Sequence, residues 1–511
     1  MKSLFRLFFL SFFPKQHLLI LFQNNHELRA TGGFITSVMD IHAGRVRFRK
    51  VFDELDHHKS VPGPVPLMKM LTDGRLKSWT LRDANFSPDF VQSSQKIIDF
   101  YQMVFPHHQV CGVVFLNFSV IEEVLSILGP VSISQKHLEA HELFHYLSAQ
   151  VSDIDRHDHK SLTNRKNILR ILAKKTLLKG LIRFWKAPQL IRCISRKLRE
   201  RELQVYDERS KSTFFPQSLE EDFLSVIDSN FLGLKSNRYI RRNIFHDTQI
   251  DLKGERTNTV RILWEHFGAE DRPLSGTYRA YVRIYIPKRS SKINFFSSPD
   301  VGTYKKSTEK TCRVLGFELV LPPQSKTMIN IQFLVPSQEL TNYQFRCFKQ
   351  SGAGRDSFQK SVTHPHYRTL LPANTGQVSE QVFTDGRIPF QEDYTLNLTA
   401  EDSLHPPRIL FHEVISPKKI LIRFSEPMDF SRSLSRRIHI KDKYGRKNYT
   451  ITRFQKRNNN TELILHVPKL PQEEERFYVI QVDDLQSQRK IFLSPRMRRI
   501  TVVYRSKYFS H

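Results

Sequence analysis

Three short stretches gather most of the side chains that could do chemistry. The first, QNNHELRATGG at 23–33, sets the amides Gln23, Asn24 and Asn25 and the opposite charges Glu27 and Arg29 ahead of Gly32-Gly33. Amides donate and accept, an arginine fork fits a carboxylate or phosphate, and paired glycines let backbone N–H groups approach an anion. The spacing is not that of a Walker loop, and no GxGxxG follows a strand. The stretch therefore reads either as a structural polar network at a strand end or as a turn with anion contacts. The second, WTLRDANFSPDF at 79–90, places Arg82 and Asp83 beside Asn85. Arg82 could clamp a phosphate, while Asp83 could hold a divalent cation or orient a hydroxyl nucleophile. Equally, Asp83 or Asn85 could fix its own loop and Asp89 cap the following helix. The third, SVIDSNFLGLKSNRYIRR at 225–242, offers Lys235, Arg238 and Arg241 to a polyanion, although strand alternation would turn only part of the set to one ligand. It could also brace the sheet that follows.

A fourth signal is HELFH at 141–145. HExxH on a helix puts His141 and His145 on one face as zinc ligands with Glu142 as general base, and a third ligand is then required. Ser148 and Val151 stand where a metzincin continuation has its glycine and third histidine, leaving Asp155, His157 or His159 to turn back. A chance match on a solvated helix face is the competing account. No GxSxG nucleophile elbow occurs.

Around these stretches the apolar pattern predicts the elements that hold them. Leu18–Phe22, Phe34–Met39 and Arg45–Val51 read as strands, Ile97, Ile98, Tyr101 and Val104 as one helix face, and Val110–Leu116 as a further strand. A helix over Val120–Leu128 ends at Gly129-Pro130 before another short strand. The order predicts a mixed α/β domain over 1–213 with helices on a sheet. A basic helical insertion at 134–206 carries Arg165, Lys166, Lys174, Lys175, Lys179, Arg183 and Lys186. A β-rich continuation follows over 214–398. In 399–511 short strands recur at regular spacing, as in a small β-sandwich.

The chain has 511 residues, 39% of them hydrophobic, enough for several packed domains. Lys plus Arg total 79 against 51 Asp plus Glu, a formal charge of +28, which makes polyanions plausible partners: a phosphorylated polymer, an anionic membrane surface or nucleic acid. No compact nucleic-acid recognition motif appears, so that class ranks lower. The four cysteines, at 111, 193, 312 and 347, lack the close pairing of a zinc knuckle or redox dithiol and read as small buried thiols. No uninterrupted apolar run approaches the roughly 20 residues of a spanning helix. Leu7–Phe13 is short and interrupted by Pro14, so Leu4–Phe13 suits packing or a peripheral membrane contact better than a leader.

Taken together, the three polar stretches resemble the bacterial family called domain of unknown function 4012. GVVFLNFSVIEEVLSILGPVSI at 112–133 and GTYRAYVRIYIP at 276–287 support the resemblance, which spans Leu18 to Leu334. It implies a protein of the bacterial envelope, on its extracytoplasmic face, and commonly an upstream transmembrane segment; here the motif begins close to the first residue. A weaker resemblance links the first half to LytR-CpsA-Psr enzymes. It implies a LytR-CpsA-Psr-like mixed sheet and a phosphotransferase acting on a lipid-linked anionic glycan. Arg29 and Arg82 would hold diphosphate, and Asp83 would position Mg2+ or another divalent cation, with Zn2+ less favoured. Gln23, Asn24, Asn25, Glu27, Asn85, Lys235, Arg238 and Arg241 would bind substrate. From Pro406 to Leu493, ILIRFSEPMDF, TELILHVPKL and RFYVIQVDDL resemble a bacterial immunoglobulin-like domain. The alternative expectation is a noncatalytic scaffold that binds cell-wall or other anionic polymers.

Overall fold

The computed structural model describes residues 2–56, 61–72, 78–133, 136–143, 146, 171–172, 174–176, 178–180, 182–211, 214–216, 218, 221–232, 235–251, 254–269, 276–299, 301–337, 342–363, 368–372, 388–402, 407–416, 418–430, 434–442, 448–468, 476–488, 493 and 499–504. It is a mixed α/β chain built on several sheets.

The first sheet holds β1 (Gln16–Arg29), β2 (Gly32–His42), β3 (Arg45–Lys50), β4 (Gln109–Asn117) and β5 (Leu203–Asp207) in the order β3-β2-β1-β4-β5, with β1 and β4 parallel. Because side chains alternate along a strand, each face takes its own layer. Leu19, Leu21, Ile35, Val38, Val113 and Phe115 pack with Ile97, Phe100 and Tyr101, the last three from a helix at Phe90–Val104. On the other face Leu18, Ile41, Val114 and Leu203 meet three more helices: α1 (Lys2–Leu10), one at Phe118–Leu128 and one at Ala187–Arg199. The Phe90–Val104 helix starts where Asp89 accepts from the Val91 N–H at 3.0 Å, the capping role open to it from sequence. The Phe118–Leu128 helix stops at Gly129, whose φ of +84° favours glycine.

The polar run QNNHELR, expected to be a turn, instead continues β1 to Arg29. The strand keeps it by shifting register against β2 between Phe22 and Gln23 and again between Asn24 and Leu28. Such bulges let extra residues sit in a strand without breaking the pairing on either side.

The β-rich middle consists of two sheets. One has seven strands and includes Asp222–Asn230 and Tyr278–Pro287 at its centre; the other has six and includes Ile240–Ile250 and Arg256–His266. Leu224, Val226, Val282, Ile284 and Phe317 of the first share one buried cluster with Ile244, Val260, Ile262, Trp264 and Ile331 of the second. Strands run over Arg256–His266, Tyr278–Pro287, Cys312–Leu321 and Lys326–Val335, in keeping with the β-rich continuation expected there. In the last hundred residues two four-stranded sheets likewise share one cluster, with Ile420, Ile422 and Leu463 on one side and Ile438, Ile440 and Ile480 on the other. The stretch NYTITRF at 448–454 enters two strands, Asn448–Tyr449 and Arg453–Arg457, which belong to different sheets, and residues 489–492 lie outside the described residues. Of the four cysteines expected to be buried, Cys193, Cys312 and Cys347 are, whereas Cys111 is half-buried. Among the described residues, no helix is long and apolar enough to cross a membrane.

Candidate functional site at the double-glycine crossing

The first two polar stretches meet where β1 turns into β2. Gly33 allows this: a Cβ there would lie 2.0 Å from the Asn24 carbonyl carbon, so only glycine lets the bulged strand pass. Gly32, at φ +137°, lies so close to the side-chain oxygens of Asn117 and Gln23 that a Cβ would stand 2.3 and 2.4 Å from them. The glycines therefore admit the protein's own backbone and amides.

Beneath the crossing Arg29 is 3% exposed. Its Nε donates to Asp83 Oδ1 at 2.8 Å, and one terminal nitrogen donates to the carbonyls of Leu28 and Asn230. The guanidinium also lies 5.2 Å from the ring centre of Phe34 and 5.0 Å from that of Phe231, near enough for cation–π attraction. Asp83 is equally buried, and Asn85 donates to the Gly33 carbonyl at 2.9 Å. Arg82 turns elsewhere, to Asp56 at 2.5 Å and the Thr80 hydroxyl at 3.1 Å. Thus the structure brings Arg29 and Asp83 together as an ion pair and separates Arg82 from both. Gln23 is buried, Asn24 donates to Glu27 at 3.2 Å, and Asn25 lies against Gly352.

Residues 14–151 match the family model described as protein of unknown function, DUF4012. The DUF4012 match takes in the first two stretches and stops before the third, so it is shorter than the span expected from sequence. No curated protein matches the chain. Among solved structures, the bacterial S-layer protein SbsC is 11% identical over 20% of this chain and 14% of its own, with a TM-score of 0.18. A candidate nutrient-binding protein from Legionella pneumophila is 8% identical over 35% and 71%, with a TM-score of 0.23. A candidate transcriptional factor from Listeria monocytogenes is 11% identical over 38% and 73%, with a TM-score of 0.22. The chain spans less than a quarter of the length of the S-layer structures it matches.

The third stretch splits. Asn230 and Asn237 turn inward to meet residues 28 and 29, Asn237 accepting from the Leu28 N–H at 3.0 Å and from Asn230 at 2.7 Å. The Asp228 carboxylate accepts from Trp264 at 3.0 Å and Tyr278 at 2.9 Å. Arg242 is buried between Asp228 and Asp356; burial opposes its charge, but the two carboxylates outweigh that and raise its pKa. Arg241 is exposed beside Phe267, and Lys235 and Arg238 are half-buried. Lys235, Arg238 and Arg241 thus lie at the outer edge, apart from the Arg29–Asp83 pair.

A segment that sequence reasoning did not single out ties these parts together. Gln350 donates to the carbonyls of Arg29, at 3.0 Å, and Asp228, at 2.6 Å, while its oxygen accepts from Arg242 at 2.9 Å. Lys349 pairs with the buried Glu202 at 3.2 Å, and Asn117 and Ser119 donate to the same carboxylate. Burial would lift the Glu202 pKa, but Lys349 and these donors overcome it and leave it below the usual value.

The other unanticipated group is a histidine ladder across the sheet. His42 on β2, His17 on β1 and His108 just before β4 stack with ring centres 4.2 and 3.9 Å apart, close to the spacing of adjacent strands. His17 bonds Asp40 at 2.8 Å, Tyr101 donates to Asp40 at 2.8 Å, and Arg49 reaches Asp40 at 3.2 Å. His17, Asp40 and His108 each offer a ligand atom within 4.8 Å of the others. Parallel rings, however, aim their in-plane lone pairs side by side, so one cation would have to break the stack to be shared. Burial, then the neighbouring His17, holds His108 below its ordinary 6.5, with Asp40 pulling the other way. In a ring-proton NMR titration His108 should therefore titrate below 6.5, and Asp40→Asn should move it lower still; a His108 midpoint at or above 6.5 would refute this account of the ladder.

In the HELFH stretch, His141 and Glu142 are exposed, and Glu142 accepts from the Glu139 N–H at 2.9 Å in the manner of a helix-entry cap. His145 lies outside the described residues, as do Asp155, His157 and His159.

Proposed function

We propose that this chain is a noncatalytic, envelope-associated scaffold that binds anionic cell-wall polymers through its basic surface. The carrying observation is the Arg29–Asp83 pair, in which the side chains that would hold diphosphate and its cation are buried against each other. A phosphotransferase needs positively charged groups aimed at the transferring phosphate and ready when it arrives. Arg29 serves instead to join β1 to the 81–83 turn and to Asn230. The excess of 79 basic over 51 acidic residues supports an electrostatic mode of binding. The resemblance to the DUF4012 family supports the envelope setting. We read the last two sheets as an immunoglobulin-like spacer, on the strength of their shared core and the ILIRFSEPMDF pattern.

A binding comparison of teichoic-type polymer, RNA and DNA across salt tests this reading. Polymer binding should weaken steeply with salt, exceed nucleic-acid binding at each salt, and survive Arg82→Ala, because it is spread over many surface charges. Transfer of a polyprenyl-diphosphate-linked glycan that disappears in Arg82→Ala with polymer binding intact would instead restore the LytR-CpsA-Psr-like phosphotransferase, with Asp83 as its cation ligand.

A further inference from the structure

Among the described residues of 174–185, basic and apolar side chains are disposed in the wrong sense for a water-soluble surface. The segment's basic side faces the protein: Lys175 donates to the Ser132 carbonyl at 2.5 Å, Lys179 to that of Pro130, and Arg183 to that of Leu128 at 2.7 Å. These bonds satisfy carbonyls at and just beyond the end of the Phe118–Leu128 helix, where cations are favoured. Its apolar side faces out, with Leu178 54%, Ile182 61%, Phe184 73% and Trp185 61% exposed. A second exposed aromatic set lies on α1 and just after it, where Phe5, Phe8, Phe9, Phe12 and Phe13 are between 48% and 67% exposed. The inner sides of α1 and of the Ala187–Arg199 helix, which continues from the 174–185 segment, pack on the same buried cluster through Leu4, Leu7, Ile194 and Leu198. α1 and the Ala187–Arg199 helix therefore share one face of the first sheet, and Phe184 and Trp185 lead directly into the latter helix.

Within the two segments themselves the charge is of one sign, although Arg196 and Lys197 pair with Glu123 and Arg199 with Glu392. From 171 to 199 the chain has nine basic and no acidic residues, and none of the first 26 residues is acidic. Lys174 and Arg192 are exposed, whereas Arg6 is held by Asp207 and Glu208.

We infer that this face docks onto a lipid bilayer bearing anionic headgroups. Phe and Trp side chains suit the depth of the headgroup–acyl boundary, and lysine and arginine beside them suit the negative surface. Exposed apolar residues spread over two elements, with Lys174 and Arg192 exposed beside one of them, complement an extended anionic surface rather than a narrow groove. The contact would be peripheral, and it is independent of the polymer-binding reading.

Trp185 supplies the readout, because Trp264 is fully buried and Trp79 half-buried. Added to the full chain, vesicles of phosphatidylglycerol and phosphatidylcholine should shift tryptophan emission to the blue and sediment the protein, whereas pure phosphatidylcholine should do neither. Trp185→Phe should remove the shift and keep the sedimentation. The pair Phe184→Glu with Trp185→Glu should lower binding to anionic vesicles by about tenfold or more, while polymer binding stays unchanged. That last contrast separates failure of this inference from failure of the scaffold reading. The inference is overturned by absence of sedimentation with anionic vesicles, or by sedimentation that neither the glutamate pair nor Phe8→Glu with Phe9→Glu reduces. A blue shift that grows with protein concentration in the absence of vesicles would also overturn it, assigning the face to a second copy of the chain.

Discussion

Replacing Arg29 with alanine should destabilise the folded chain by about 3–5 kcal/mol, because it leaves Asp83 charged, buried and without its partner. Asp83 is 3% exposed, and its Oδ1 takes the Arg29 Nε–H at 2.8 Å. The carbonyl of Asn230 would lose a donor in the same step, and the rings of Phe34 and Phe231 would face a cavity. Asp83→Asn should cost less, since an amide oxygen can still accept. Arg29→Met combined with Asp83→Leu should regain most of the loss, as removing both members of a buried pair is often neutral. Urea unfolding of the parent, Arg29→Met, Asp83→Leu and the double variant gives the cycle. A stable, fully folded Arg29→Ala would contradict this structural role and return the arginine to the list of candidate catalytic groups.

The second large effect concerns two buried basic groups that are register partners on neighbouring strands, Lys360 and His246. Lys360 is 3% exposed, donates to the Thr248 hydroxyl and the Ser361 carbonyl, and lies 4.7 Å from the Phe345 ring centre. Burial pushes its pKa from 10.5 down to about 7. Between those values the unfolded chain binds a proton that the folded chain does not, so stability should rise with pH across that window and the penalty should be complete below about 7. His246, bonded to Asn258 at 2.8 Å, is held well below 6.5 by burial and then by Lys360. Stability should therefore fall again as pH drops below 6.5. Lys360→Met should raise stability near neutral pH by about 2–4 kcal/mol, less than the whole shift converted at about 1.4 kcal/mol per unit, because Thr248 loses a partner. It should also flatten the melting temperature between pH 7.5 and 10 and leave the acid limb in place. A variant that melts lower than the parent at neutral pH, with its slope unchanged, would show that Lys360 is stabilising where it stands.

Much of this architecture was legible in the sequence, because strand alternation and helix ends are local. Leu18–Phe22, Val110–Leu116 and the Asp89 cap needed only their neighbours. What was not legible depends on register and distant partners. The amides of QNNHELR look like a turn until bulges and Gly33 are seen to keep them in β1. Arg29 and Asp83 stand 54 positions apart, and either could have faced a ligand as well as the other. The histidine ladder has no linear motif: His17, His42 and His108 become neighbours only through the pairing of three strands. Lys349 and Gln350 carry no signal at all, since the buried acid and open carbonyls they serve belong to other elements.

The reach of Gln350 has a consequence for the order in which the molecule assembles. Its bond to the Arg29 carbonyl closes a separation of 321 residues, and Thr31 and Ser351 form an isolated bridge beside it. Such closures are entropically costly to reach and slow folding, since the intervening chain must be ordered before the contact rewards it. During synthesis Glu202, just ahead of the first sheet's last strand, emerges 147 residues before Lys349 exists to neutralise it. Until then the young sheet carries a carboxylate bound for burial and an incomplete polar seam, so that its last step of folding waits on a segment made well after its own strands.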